Sequence, residues 1–296
     1  MMRVRADVVA GAVALFLLTC SEARAEVSID RSGGAGGHAA LSMALRGHEG
    51  PSPWGRVRQQ VPSSWLLNPD GDVRGDGRPE MTALPATGNP QVVWAARAGD
   101  GFDIVHSEWG GRAWTTPEIV AGGAADQRGP AIAARDDGAL AVTWWEDDGV
   151  FRQVFVRRRD AQGTWLPAEP VSAADRTARW PAVAFDGGDL WVGWEREAGP
   201  GAREIVVALE SQGWNPVMIG ETSHVAPDGS LDAQLVLHAR NGRVWADWLL
   251  AADRIATSRL DPQTGQWGAV EEIPCDDSPE GRNAARFEAK RRALGW

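Results

Sequence analysis

From residue 78 to about residue 275 the chain alternates short apolar runs with Gly, Asp and Pro turns, and the pattern repeats roughly every 50 residues. Each period reads as four strands, a to d. In the first, strand a runs from Pro79 through Leu84, b from Gln91 to Ala95, c from Asp103 to Ser107 and d from Trp114 to Val120. The second opens at Pro130 and turns at Asp136-Asp137-Gly138. It continues through Leu140 to Glu146, Gln153 to Arg157 and a strand from Trp165. The third opens at Pro181, with Leu190 to Glu195, Glu204 to Ala208 and Trp214 to Ile219 behind it. The fourth turns at Asn241-Gly242 before Val244 to Trp248, Arg254 to Ser258 and Trp267 to Ile273. Asp-Gly and Asn-Gly favour positive-φ hairpin turns, which makes a and b antiparallel neighbours. Two Trp sets share the period: Trp94, Trp145, Trp194 and Trp248 on strand b, and Trp114, Trp165, Trp214 and Trp267 after the c–d turn. Four-stranded units at this spacing predict an all-β β-propeller with four clear blades.

The flanks break the pattern. Residues 26–77 form an irregular segment that includes the Gly-rich Ser32–Gly37, with material for a fifth, degenerate blade around Trp54, Val57 and Val61. The propeller repeats occupy 78–275, and 276–296 is a C-terminal helical tail. Ser278 is its cap, Pro279 its first position, and Phe287 and Leu294 its packing face.

Composition narrows the setting. The formal net charge is -10, which argues against a nucleic-acid partner. Arg3 and Arg5, the apolar run Val8 to Leu18 and Ala23-Arg24-Ala25 make residues 1–25 a signal peptide, with the mature chain starting at Glu26. The run is too short to span a bilayer, so no transmembrane span is expected in the mature chain. The expected location is periplasmic or secreted. Leu17-Leu18-Thr19-Cys20 supports a second form, a lipoprotein anchored through Cys20. Cleavage leaves Cys275 as the one cysteine, so no intrachain disulfide forms.

Three features resemble the sialidase-like, BNR/Asp-box type propeller family. Strand a opens with Arg-Pro or a variant: Arg78-Pro79, Arg128-Gly129-Pro130 and Arg179-Trp180-Pro181. Strand b ends in Trp-Glu at Trp145-Glu146 and Trp194-Glu195. The c–d turn carries Gly before Trp, and Asp160-Ala161-Gln162-Gly163-Thr164-Trp165 is a worn Asp-box. The resemblance implies the fold. It also implies a Tyr nucleophile for hydrolysis, and the chain contains no Tyr. A non-catalytic module that binds a carbohydrate or an envelope protein is therefore the expected function. The alternatives are a glycoside hydrolase acting on acidic sugars through axial Arg and Glu/Asp, and a purely structural scaffold.

The candidate ligand residues follow. Arg78, Arg128 and Arg179 recur at blade spacing and suit an anion by forked hydrogen bonding, or else each pairs within its own blade. Glu146 and Glu195 end strand b in neighbouring repeats and are the carboxylates an inverting glycosidase would need. Trp109, Trp144, Trp180, Trp191 and Trp245 stand outside the periodic sets, which makes them the candidates for stacking on sugars, Trp144, Trp180 and Trp191 above all. Asp72, Asp76 and Glu80 sit at alternate ligand positions of a calcium-loop-like stretch, with Arg74 where a further carboxylate belongs. No cofactor other than this possible Ca2+ is expected.

Overall fold

The computed structural model describes residues 24–31, 39–46, 79–199, 202–223, 233–240, 242–251, 253–276 and 279–294. Residues 1–23 with Cys20, Trp54, Arg78, the helix-cap candidate Ser278 and two of the three calcium-loop positions, Asp72 and Asp76, lie outside them.

Four antiparallel four-stranded sheets form the repeats. Blade 1 is β3 (Glu80–Ala83), β4 (Pro90–Ala98), β5 (Gly101–Glu108) and β6 (Glu118–Ala121). Blade 2 is β7 (Asp126–Ala134), β8 (Leu140–Asp147), β9 (Arg152–Arg159) and β10 (Glu169–Pro170). Blade 3 is β11 (Ala178–Asp186), β12 (Asp189–Gly199), β13 (Ala202–Leu209) and β14 (Val217–Thr222). Blade 4 is β15 (Val236–Arg240), β16 (Arg243–Ala251), β17 (Arg254–Arg259) and β18 (Glu271–Pro274). Strand order follows chain order in every sheet, and the first strands β3, β7, β11 and β15 touch in succession. First strands packed side by side, with the later strands fanning outward, is the propeller arrangement. Ahead of the blades, β1 (Arg24–Arg31) and β2 (Ala39–Arg46) pair as a two-stranded sheet that starts at the last two residues of the expected signal segment and continues into the stretch that the sequence reads as irregular.

The c–d turns explain the second Trp set. Trp114, Trp165 and Trp267 each bridge back to the end of strand c, at Trp109, Arg159 and Leu260. In the second blade Asp160 Oδ1 accepts the N–H groups of Gln162 and Thr164 at 3.0 and 2.7 Å, and Gly163 N donates to Asp160 O. The worn motif thus still closes its turn. Strand d begins a few residues beyond each Trp, later than expected, because the Trp belongs to the turn.

Register corrects the first Trp set. Strand pairing makes Trp94–Val105, Trp144–Phe155, Trp194–Val206 and Trp248–Ala256 equivalent pairs. Trp144, and not Trp145, is therefore the repeat partner of Trp194. Trp144, Trp194 and Trp248 each pack toward the preceding blade and are fully buried there, while Trp145 faces blade 3 at the place that Glu195 takes in the next repeat. Strand alternation puts neighbours on opposite sides, so two adjacent Trp residues serve two different cores.

The strand-a bulge recurs as well. Register shifts at Arg128/Ala131 and Arg179/Ala182, and Gly129, Trp180 and Gln234 hold positive φ (58°, 50° and 47°) at its centre. Gly129 is required twice over, since a Cβ there would sit 2.7 Å from Trp145 Nε1.

The tail forms α1 (Pro279–Leu294) against β16, β17 and β18. Its contact face is Ala285 and Ala289, set on Leu249, Ile255 and Ile273. Phe287, expected to pack, is 64 % exposed. Small side chains let the helix lie close to the sheet, and an ion pair from Arg286 to the buried Asp247 fixes it.

Candidate functional site

Strand b of each blade ends, and strands a and c begin, at one end of the blade, so this end gathers most of the predicted ligand residues. The structure separates them, because register sends them to different inter-blade faces.

Arg128 pairs with Asp126 at 2.6 Å and lies 4.3 Å from the Phe102 ring centroid in blade 1. Glu146 also faces blade 1. It accepts a hydrogen bond from Trp144 Nε1 at 3.0 Å and lines a groove with Asp103, Ile119 and Arg157. Glu195 faces the other way and is completely buried. Its Oε1 accepts the backbone N–H of Ala233, just ahead of β15 in blade 4. The two carboxylates thus point at blades on opposite sides and share no space for a substrate.

The predicted aromatic platform is corrected too. Trp144, Trp191 and Trp245 are buried in the cores, Trp144 stacked on Phe155 and Trp191 edge-on to Trp267. A ring enclosed by neighbours cannot stack on a sugar. Trp109 is half-buried against Trp114. Trp180 alone of the non-periodic set stands at the strand-a bulge, half-buried, with its ring edge-on to Trp145 at 6.2 Å. Glu80, the described member of the calcium loop, is exposed, and no group of three metal-ligating side chains occurs among the described residues.

Arg179 differs from Arg128. Its Nε and one terminal nitrogen are buried without a hydrogen-bond partner. Burial lowers its pKa, the neighbouring Arg203 charge adds to the shift, and Glu195 opposes it. Arg203 is 8 % exposed and also leaves Nε and one terminal nitrogen buried without a partner. Its ion pair to Glu197 is long at 3.8 Å. The arrangement at this end of blade 3 is therefore two adjacent guanidiniums with unused donors, flanked by the bulge residue Trp180. Buried guanidinium donors without acceptors suit a negatively charged ligand.

Arg203 went unnoticed in the sequence, where no motif marks it. The signal was an acid–Arg pair across the b–c turn. Asp147–Arg152 in blade 2 and Glu197–Arg203 in blade 3 occupy the same register positions.

No protein-family description matches the sequence, and no curated protein matches it. Solved structures similar to the chain include sialidases and other glycoside hydrolases. The leech intramolecular trans-sialidase complexed with 2,7-anhydro-Neu5Ac has a TM-score of 0.48 and 10% identity, covering 68% of this chain and 51% of that one. The α-L-arabinofuranosidase of Lactobacillus brevis has a TM-score of 0.46 and 16% identity, covering 67% and 73%. The endo-arabinase of Bacteroides thetaiotaomicron has a TM-score of 0.46 and 12% identity, covering 69% and 83%.

Proposed function

We propose that this protein is an exported, non-catalytic β-propeller that binds a carbohydrate ligand at the end of blade 3 where strand a begins, through Trp180 and Arg179. The observation that carries the reading is Trp180 in the left-handed region, at φ 50°. A bulky side chain there costs on the order of 1–3 kcal/mol, and such residues cluster at ligand sites. The bulge itself needs no Trp, because Gly129 and Gln234 hold the same conformation in the blades on either side. A half-exposed indole beside a guanidinium with spare donors suits a sugar face and its polar substituents.

The binding reading is favoured over hydrolysis by the placement of Glu146 and Glu195 on opposite inter-blade faces. General acid and base must flank one bond.

A glycan array on the mature protein tests the reading. Trp180→Ala is expected to lose most binding to any glycan that the wild type retains, with little loss of melting temperature because the indole is only half-buried. Binding unchanged in that variant would remove Trp180 from the site. Hydrolysis of a bound glycan by the wild type, abolished by Glu146→Gln or Glu195→Gln, would replace the binding reading with the enzyme.

A further inference from the structure

Comparison of blade 2 with blade 3 isolates what is unusual about the arginine pair. The register equates Arg128 with Arg179 and Arg152 with Arg203. In blade 2 both cations are neutralised locally. Arg128 has Asp126 at 2.6 Å, and Arg152 has Asp147 at 3.0 Å. In blade 3 the place of Asp126 falls to Thr177, which has no charge and whose carbonyl binds Glu197 N. The place of Asp147 falls to Glu197, half-exposed and 3.8 Å from Arg203. Both arginines have thus lost the close carboxylate that their counterparts keep. Burial has increased at the same time, with Arg152 37% exposed and its counterpart Arg203 8%. Glu195, new in this blade, lies beside Arg179, but its Oε1 is committed to Ala233 N–H and neither Arg179 Nε nor its buried terminal nitrogen has a hydrogen-bond partner. Two carboxylates face the two cations, yet four guanidinium nitrogens remain buried without an acceptor.

We propose that Arg179 and Arg203 form an oxyanion site, in which a carboxylate, sulfate or phosphate group supplies the acceptors that these buried donors lack. The chemistry is that of a planar fork donating to an oxyanion, and burial in low dielectric strengthens it. Occupancy also bolts blade 3, because Arg179 belongs to β11 and Arg203 to β13, with Glu195 on β12 between them. The proposal names the ligand chemistry of the mouth proposed above and rests on that reading for the site's place.

The test is thermal melting of the mature protein in sodium sulfate against sodium chloride at matched ionic strength. A ligand at about a hundredfold excess over its Kd raises the wild-type Tm on the order of 5–10 °C and saturates. Sulfate also stabilises proteins through exclusion, without saturation, so the variants decide. Arg203→Met is expected to melt higher than the wild type in chloride, since a buried repulsion is gone, and to lose the saturable rise. Arg128→Gln, the blade 2 counterpart, keeps it. Equal saturable rises in wild type and Arg203→Met would overturn the site, as would a lower melting point of Arg203→Met in chloride. Calorimetric titration of sulfate into the wild type needs no variant, and absence of heat up to tens of millimolar would also overturn it. Glucuronate and acetate arms separate the sources. Tighter glucuronate assigns the anion to a sugar, equal affinity assigns it to a free ion, and both uphold the site. Loss of glycan binding in Trp180→Ala with the sulfate response intact separates failure of one reading from failure of the other.

Discussion

Single indoles divide by what encloses them. Trp144, Trp194 and Trp248 are sealed between blades, whereas Trp114, Trp165, Trp214 and Trp267 are half-buried beside their turns. Truncating a sealed Trp to Ala is expected to cost about 3–5 kcal/mol, and truncating a turn Trp clearly less. Denaturant unfolding of both sets checks the division, and equal losses would contradict it. A second residue-scale effect sits at His106, buried between Glu118 at Nδ1 and Gln91 at Nε2, each at 2.9 Å. The ring is neutral if Gln91 turns its amide nitrogen toward Nε2, which also satisfies the otherwise unpartnered Gln91 Nε2. Burial holds the His106 pKa below the usual imidazole value, against the pull of Glu118. The unfolded chain then binds the proton more readily. The stability that neutral His106 contributes is present above about pH 6.5 and is lost as pH falls through its folded pKa. Urea titrations between pH 7.5 and 5 should show this loss, and it should disappear in His106→Gln.

At the scale of elements, the tail helix is held by charge as well as by apolar contact. Asp247 is completely buried, with one oxygen on His238 Nε2 at 2.6 Å and the other on Arg286. Arg286 also donates to Gln234 O at 2.6 Å. Removing Arg286 leaves a buried carboxylate half-compensated, which typically costs about 3–5 kcal/mol. Arg286→Leu should therefore destabilise strongly, and Asp247→Asn in the same chain should recover much of the loss. A double-mutant cycle near zero coupling would disprove the pairing. Helix and strands were legible in the sequence because hydrophobic period and turn residues decide them locally. The register was not. Trp144 and Trp145 both suit a period near 50, and only the one-residue shift at the Arg128/Ala131 bulge selects Trp144. The face of α1 was misread for a related reason. Phe287 has helical spacing, but among the described side chains of the helix it is Ala285 and Ala289 that meet the sheet.

Across the whole molecule the blades are tied by side chains that reach the backbone of a neighbour. Arg157 donates to Val120 O at 2.7 Å, Thr222 to Leu249 O at 2.6 Å and Trp248 to Glu221 O at 2.9 Å, while Glu195 accepts from Ala233 N. The candidate site was half legible at this scale. Arg179 stood out by its repeat position, but its isolation depends on Thr177 and Glu197 being where carboxylates close enough to pair would otherwise lie. Absence of a partner is a three-dimensional fact that spacing does not encode. Glu195 joins both themes, since it is a bolt to blade 4 and a neighbour to Arg179. Glu195→Gln keeps an acceptor oxygen for Ala233 and removes the charge, so the bolt survives while the arginine pair gains net positive charge. Glu195→Ala removes both and leaves a buried N–H without a partner, at a cost of about 1–3 kcal/mol for that group alone. In repeat proteins a weakened interface lets neighbouring units unfold apart. Glu195→Ala is therefore expected to lower the urea midpoint and broaden the transition, with a reduced m value. Glu195→Gln should keep the wild-type slope in sulfate and lose stability only in chloride, because an oxyanion replaces the missing charge. If both variants broaden alike in both salts, Glu195 acts through packing and the link between blade coupling and anion binding is wrong.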